Sequence, residues 1–119
     1  MQPSYEEKTE KFSMIRKKPH HVPPHLHNAI ELVYVTKGEL ELGVGYELYH
    51  MEKGDFAVVF PDLIHHYQVF SKESNEVYQI YASLELSGPF MALLQKNVRK
   101  IQSSKKRIFL MRLKILWNV

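Results

Sequence analysis

The chain has 119 residues, of which 45% are hydrophobic and 24% charged; this suffices for one folded domain and is too short for a second of ordinary size. Because it has no cysteine, disulfide bonds and thiolate metal sites are both excluded. Its longest apolar runs are only a few residues, and its start lacks the basic-then-apolar pattern of a signal peptide. We therefore expect a cytoplasmic protein that does not span a membrane.

Charge is distributed unevenly along the chain. The formal net charge is +3, but residues 1–85 carry −5, and residues 86–119 carry +8 without a single acid. A solvated basic helix face is the common explanation for such a tail. A nucleic-acid or membrane-surface element is the weaker alternative.

Residues 1–22 are predicted to form a polar N-terminal arm. Their apolar residues cluster between positions 12 and 15, and three prolines between positions 19 and 24 interrupt any regular ladder. We expect this arm, with at most one short strand, to fold over the mouth of the domain that follows it.

Residues 23–88 have the pattern of short β-strands separated by turns. Residues 29–36 are rich in β-branched and aromatic side chains, Lys37-Gly38 is typical of a hairpin turn, and Gly54-Asp55 precedes an apolar run at residues 56–60. A further long strand is predicted from residue 76 to Leu86. Seven or eight short strands with no helical period between them predict an all-β sandwich or small barrel.

The period of the pattern changes after residue 88. Phe90, Leu94, Val98 and Ile101 are spaced as one stripe of a helix, and residues 108–117 form a second apolar segment. Residues 89–119 are therefore predicted to form a basic C-terminal region of one or two helices. The second segment is apolar on nearly all sides, so we expect it to pack on the barrel or on another subunit.

Three imidazoles and one carboxylate form the chemically distinctive set. His25, His27 and Glu31 share one face of an extended segment because side chains alternate, and His65 follows the turn at Gly54-Asp55. Nitrogen and oxygen donors of this kind suit one divalent zinc, nickel, manganese or iron ion. The alternative is a metal-free polar pocket. His66 competes with His65, because a one-residue shift in register exchanges the two faces.

The spacing His25-x-His27-x3-Glu31-x6-Gly38 resembles the first cupin motif, and residues 54–65 resemble the second. Within the cupins, residues 24–38 and 54–61 are most similar to the N-terminal effector-binding domain of AraC-type transcription regulators. This resemblance implies a cupin-type jelly-roll barrel, or double-stranded β-helix, that binds a small effector such as a sugar or sugar acid. It also implies a homodimer formed through the helices after the barrel.

Two functions follow from this resemblance. The first is the ligand-sensing and dimerisation domain of an AraC-family regulator, which would reach DNA only through a helix-turn-helix domain absent from this chain. The second is a stand-alone metal-dependent cupin enzyme, such as an isomerase or dioxygenase. The metal ligands implied are His25, His27, Glu31 and His65. The expected effector-binding residues are these four together with Tyr34 and Tyr78.

Overall fold

The computed structural model describes residues 2–71 and 74–89, and it also describes the backbone of residues 108–112. Nearly all of the secondary structure in these ranges is β-strand. The strands are β1 Ser4–Glu6, β2 Phe12–Lys17, β3 Val22–His27, β4 Ile30–Lys37, β5 Glu39–Val44, β6 Glu47–Glu52, β7 Asp55–Val59, β8 His65–Gln68, β9 Glu76–Ala82 and β10 Ile108–Arg112.

The strands form two five-stranded sheets. Sheet A has the order β1-β3-β8-β5-β6, and sheet B has the order β10-β7-β4-β9-β2. Strand β1 pairs parallel to β3, while the pairs on either side of β4 and β5 are antiparallel. Because the chain crosses repeatedly from one sheet to the other, the inward faces of both sheets enclose a common core. The predicted all-β, cupin-type barrel is confirmed.

The barrel interior has an apolar part and a polar part. Val33 and Val35 of β4 pack with Leu40 and Leu42 of β5 in a fully buried aliphatic cluster. Glu31 lies on the same face of β4, two residues before Val33, because side chains alternate along a strand. The aliphatic cluster stabilises the barrel, and Glu31 begins the polar part of the interior.

The turn at Lys37-Gly38 is a corner between the sheets and not the hairpin that its sequence predicts. It joins β4 of sheet B to β5 of sheet A. Gly38 has a φ of 73°, and a Cβ atom there would lie 1.9 Å from Oδ1 of the buried Asn75. That Oδ1 atom accepts the N–H of Glu39 at 2.8 Å. Glycine is therefore required both by the backbone conformation and by the close approach of Asn75.

The N-terminal region is more regular than predicted, since it contributes one strand to each sheet. Strand β2 pairs with β9, with Met14 opposite Ile80, so residues 12–15 do not fold over the barrel mouth. Pairing with β9 satisfies backbone groups that an unpaired arm would leave to water. Strand β1 lies against β3, with Glu6 opposite His27.

The predicted strand extending to Leu86 is wrong, because β9 ends at Ala82 and residues 84–89 are helical. Ser83 caps this helix: its Oγ accepts the N–H of Leu86 at 3.2 Å, and its carbonyl accepts the N–H of Ser87 at 2.9 Å. The described residues contain no helix that is long and apolar enough to span a membrane.

A second correction concerns the C-terminal region, where residues 108–112 were expected to be helical. They form β10, which pairs with β7 and places Phe109 opposite Val58. A run that is apolar on all sides fits a buried strand as well as a buried helix, so periodicity alone does not separate the two. The helix expected from Phe90 to Ile101 and the end of the basic tail lie outside the described residues.

Candidate functional site

The four predicted metal ligands come together in the polar part of the barrel interior. His25 and His27 lie on β3 and His65 on β8, with His25 directly opposite His65. Glu31 approaches from β4 in the other sheet. One donor atom from each residue lies within 4.8 Å of all the others, and the four residues are only 0–5% exposed. Donors separated by up to 40 positions in the chain thus converge across the two sheets.

Backbone carbonyls fix the orientation of all three imidazoles. The Nδ1 atoms of His25, His27 and His65 lie 2.9, 3.0 and 2.8 Å from the carbonyl oxygens of Pro23, Ala29 and Leu63, respectively. Since a carbonyl oxygen only accepts hydrogen bonds, each Nδ1 carries the hydrogen. The Nε2 atoms of His27 and His65 face Glu31, and Nε2 is the ring nitrogen of His25 that its carbonyl contact leaves available. In metal sites, a hydrogen bond at one ring nitrogen commonly orients the other towards the metal.

The two oxygens of Glu31 have different partners. Oε1 lies 2.8 Å from Nε2 of His27 and 3.2 Å from Nε2 of His65. Oε2 accepts the hydroxyl hydrogen of Tyr67 and, at 3.4 Å, an amide hydrogen of Gln79. One oxygen is therefore directed at the histidines, while the other is held by neutral donors.

Burial and hydrogen bonding act in opposite directions on this carboxylate. Burial alone raises the pKa of Glu31, but the hydrogen bonds from His27, His65 and Tyr67 outweigh it and hold the pKa far below its usual range. Glu31 is therefore ionised at neutral pH.

The pKa values of the neighbouring groups are shifted by the same burial and charge. Burial lowers the pKa of His25. Burial also acts to lower the pKa of His65, but the hydrogen bond to Glu31 and the charge of Glu31 outweigh this effect and raise the pKa. Burial and the charge of Glu31 raise the pKa of Tyr67 well above its usual value, which keeps its hydroxyl a donor.

The donor set fits a divalent cation. With its Nδ1 atom already donating, a neutral ring presents a lone pair at Nε2, so His27 and His65 face Glu31 with either a proton or a cation between them. Four donors bound tetrahedrally at about 2.0–2.2 Å lie about 3.3–3.6 Å from one another, so donors that are up to 4.8 Å apart must close by roughly 1.2 Å to bind a cation. Three imidazole nitrogens and one carboxylate oxygen suit zinc, nickel, manganese or iron.

Two of the six predicted effector-binding residues lie elsewhere. Tyr34 and Tyr78 are opposite each other on β4 and β9, on the outward face of sheet B. Tyr34 is three positions from Glu31, and an odd separation on a strand places two side chains on opposite faces. The expectation that these tyrosines line the barrel interior is therefore corrected.

The structure also decides between His65 and His66. His65 is 1% exposed and belongs to the cluster. His66 lies opposite Gly43 of β5, on the outer face of sheet A, and its ring covers that glycine so closely that a Cβ atom would lie 1.9 Å from the ring. The one-residue ambiguity of the sequence is thus resolved in favour of His65.

Three interior polar residues were absent from the predicted set. Tyr67 and Gln79 donate to Glu31, and the hydroxyl of Tyr81 also hydrogen-bonds to Glu31. The ring of Tyr81 meets the ring of His27 edge-on, with centroids 5.2 Å apart. Tyr67 follows His65 by two positions, so the alternation of side chains along a strand predicts that it lies on the same face as His65. Gln79 and Tyr81 lie opposite Val33 and Glu31, so finding them required the register of β9 against β4.

The N-terminal region covers one side of this site. Lys8 and Asn28 exchange two hydrogen bonds, from the Lys8 N–H to Oδ1 at 2.7 Å and from Nδ2 to the Lys8 carbonyl at 3.2 Å. The ammonium group of Lys8 lies 4.4 Å from the centre of the Tyr81 ring, a cation–π contact. Residues near β1 thus close the barrel beside His27.

A small, partly open cleft lies on another side of the cluster. It combines aliphatic walls with a lysine, a histidine, a phenol and an amide. Its lining residues are Lys17, Pro19, His20, Val22, Leu40, Tyr67, Val77 and Gln79. Tyr67 and Gln79 are therefore shared between this cleft and the histidine–glutamate cluster.

The fold and the interior cluster define a cupin-type barrel. A solved structure of similar fold, a cupin 2 conserved barrel domain protein from Salinispora arenicola, is 18% identical over 72% of this chain and 75% of its own, with a TM-score of 0.54. Residues 15–112 match the family model of the AraC-like ligand binding domain. The chain belongs to this family of ligand-binding domains, as the sequence motifs predicted.

Structures of ToxT from Vibrio cholerae have a similar fold. ToxT bound to an unsaturated fatty acid is 13% identical, with a TM-score of 0.59 over 88% of this chain and 41% of ToxT. ToxT bound to (E)-4-(8-methylnaphthalen-1-yl)but-3-enoic acid is 12% identical, with a TM-score of 0.57 over 88% of this chain and 43% of ToxT. This chain therefore spans about two fifths of ToxT. A comparison with curated protein sequences gives no match.

Proposed function

We propose that this chain senses a small molecule as the effector-binding domain of an AraC-type transcription regulator acting in the cytoplasm. The observation that carries the proposal is the cleft beside the cluster, which joins aliphatic walls to a few polar groups, as small-molecule sites commonly do. Membership of the AraC-like ligand-binding family supports the same role. DNA binding would belong to a separate helix-turn-helix domain.

The cleft favours an acidic effector. Lys17 lies on the inward side of β2, opposite Val77, and none of the described residues forms an ion pair with it. A carboxylate that binds there would gain a charge-assisted hydrogen bond, while Val22, Leu40 and Val77 would accept the apolar part of the molecule. A sugar acid satisfies the first requirement, and a carboxylic acid with an apolar chain or ring, as in the acids bound to ToxT, satisfies both.

Calorimetry with matched pairs of compounds tests this effector class. We expect gluconate or palmitoleate to bind, and neutral glucose to bind at least about 10-fold more weakly, because a hydrogen bond to a charged group contributes about 1.5–3 kcal/mol. Lys17→Met should remove the preference for the acid. Lys18→Met is the matched control, since Lys18 is exposed and outside the cleft lining. Absence of binding by every compound would contradict the proposed sensing role, whereas equal binding of acid and sugar would contradict only the acidic class.

We also propose that two copies of the chain pair, through the amphipathic segment at residues 90–101 that follows the barrel. Support comes from the apolar stripe in its sequence, since the segment itself lies outside the described residues. Sedimentation velocity should give a dimer, and Leu94→Glu with Val98→Glu should give a monomer that keeps its cleft. A strictly monomeric parent protein would contradict this proposal.

The cluster of His25, His27, Glu31 and His65 is proposed to hold one divalent cation. The support is the convergence of three oriented Nε2 atoms and one ionised carboxylate oxygen. A bound cation would supply a fixed positive charge that links the two sheets. Elemental analysis of protein purified without an affinity tag should find close to one zinc, nickel, manganese or iron per chain. His65→Gln should reduce this content sharply.

A metal-dependent cupin enzyme is the second candidate, favoured by the same buried donor set. In an enzyme, the hydroxyl of Tyr67 would be a polar group shared by the cluster and the cleft. Stoichiometric iron or manganese together with turnover of a compound that binds the cleft would favour the enzyme. Binding without turnover would favour the sensor.

A further inference from the structure

Tyr67 and Gln79 occupy the boundary between the cluster and the cleft, and both act on a single atom. The Tyr67 hydroxyl and the Gln79 amide donate to Oε2 of Glu31, which leaves Oε1 to the histidines. Tyr67 is 3% exposed and Gln79 6% exposed, so water competes little for these donors. A carboxylate with one oxygen held in this way has a restricted orientation.

We propose that Tyr67, assisted by Gln79, is a positioning residue that makes Glu31 a one-oxygen ligand for a divalent cation. The hydroxyl of Tyr81 also hydrogen-bonds to Glu31. Without Tyr67 and Gln79, however, the carboxylate loses two of its restraints on rotation about the last side-chain bond, and either oxygen, or both together, can face the histidines. With them, only Oε1 does. This inference rests on the proposed cation and is independent of the proposed effector.

The register of the strands supports this assignment. Tyr67 follows His65 by two positions on β8, so both side chains enter the interior from the same strand. Gln79 lies opposite Val33, two positions from Glu31 on β4. The donors that hold Oε2 are therefore fixed by the same backbone pairings that place the ligands. Hydrogen bonds to metal ligands typically change metal affinity by about 10- to 100-fold.

Titration of the metal-free protein with Co²⁺ tests the proposal directly. The visible absorption of Co²⁺ depends on the number and kind of atoms bound to it, so it reports on the ligand set as well as on occupancy. We expect Tyr67→Phe to weaken Co²⁺ binding by about 10-fold or more and to change the shape of the absorption spectrum. Gln79→Met should have a smaller effect of the same kind, because its contact is longer, at 3.4 Å.

The chain offers a matched control in Tyr49, whose hydroxyl also donates to a glutamate, Glu47, but away from the cluster. Tyr49→Phe should leave both the affinity and the spectrum of Co²⁺ unchanged. Urea unfolding of each metal-free variant separates a general loss of stability from a change at the cation site. Gln79→Met provides the test if Tyr67→Phe does not fold.

Two results would overturn the proposal. The first is that the parent protein binds Co²⁺ and that the folded variant, Tyr67→Phe or Gln79→Met, has the same Co²⁺ affinity and absorption spectrum as the parent. Glu31 would then not be positioned by these donors, although the proposed cation site would stand. If the parent protein binds no Co²⁺, Zn²⁺, Ni²⁺ or Mn²⁺, the cation site and the positioning role both fail. The proposed effector binding is tested separately, by calorimetry with the metal-free protein.

Discussion

Within the described residues, the interior and the outer face of sheet A both contain contacts between histidine and glutamate. In the interior, Nε2 atoms of His27 and His65 converge on one oxygen of Glu31, and the three side chains are no more than 1% exposed. On the outer face, His50 lies 2.5 Å from Glu41 through Nδ1 and 3.7 Å from Glu39 through Nε2, and its side chain is 46% exposed.

The difference teaches what makes such a contact a candidate site. The two ring nitrogens of His50 contact two different carboxylates at the surface, where water competes for both contacts. Each interior histidine has one nitrogen fixed by a backbone carbonyl, so the other is aimed at the shared centre. Burial and convergence together, and not the mere presence of histidine and glutamate, distinguish the interior cluster.

Neutralising the central carboxylate should have the largest effect. Glu31→Gln is expected to lower the free energy of unfolding by about 3 kcal/mol, as for a broken buried ion pair. It should also weaken cation binding at least about 100-fold, because it removes the only anionic ligand of the set. Urea unfolding and Zn²⁺ calorimetry measure the two quantities.

The matched change on the outer face is Glu41→Gln. Its effect on the free energy of unfolding should be about 0.5 kcal/mol or less, as for other exposed ion pairs, with no effect on Zn²⁺ binding. Comparable losses of stability in the two variants would contradict the distinction between the interior and exposed contacts.

Cation binding should itself stabilise the fold. A cation that binds only the folded protein, at a free concentration 100 times its dissociation constant, raises the free energy of unfolding by about 2.7 kcal/mol. We therefore expect Zn²⁺ to raise the melting temperature of the parent protein and a chelator to reverse the change. His65→Gln should abolish this response and His50→Gln should keep it. A response lost in both variants, or in neither, would mean that Zn²⁺ acts elsewhere.

The part of the candidate site that could be predicted from the sequence is the part that depends on the alternation of side chains along a single strand. His25, His27 and Glu31 could be placed on one side of the barrel wall because they are separated by even numbers of residues. The same rule excludes Tyr34 and includes Tyr67, so choosing tyrosines for their aromatic character gave the wrong face. That His65 would meet residues of β3 and β4 followed from resemblance to the cupins, because no local rule relates residues 34 positions apart.

The fold class was predictable from many short strands, but the ends of the barrel were not. Residues 108–111 are all apolar, so they give no period that separates a strand from a helix, and the pairing of β10 with β7 is a tertiary contact. Ser83 is both a plausible strand residue and a good helix cap, and the cap prevails because its Oγ satisfies the N–H of Leu86. Whether the four donors bind a metal or an effector stays a prediction.

Acid should destabilise the protein in part through Glu31. Its pKa in the folded protein is far below the usual value of 4.5, since the hydrogen bonds from His27, His65 and Tyr67 outweigh the effect of burial. A depressed pKa contributes stability that is complete above about pH 4.5 and is lost as the pH falls through the folded value. In the presence of a chelator, the parent protein should therefore lose stability between pH 5 and pH 3 more steeply than Glu31→Gln. Equal slopes would show that the carboxylate is not stabilised as its contacts indicate.

The smallest effect on stability is expected at His50, whose contribution to stability changes with pH in the direction opposite to that of Glu31. The hydrogen bond to Glu41 raises the pKa of His50 despite some burial, so its contribution to stability is present below the usual pKa of 6.5 and is lost as the pH rises through the folded value. Because the pair is exposed, the contribution should be about 0.5 kcal/mol or less. An NMR titration should find the raised pKa at low salt and a return towards 6.5 at high salt, which screens exposed charges. A pKa insensitive to salt would place His50 in a less solvated environment than its exposure indicates, and would weaken its contrast with the buried cluster.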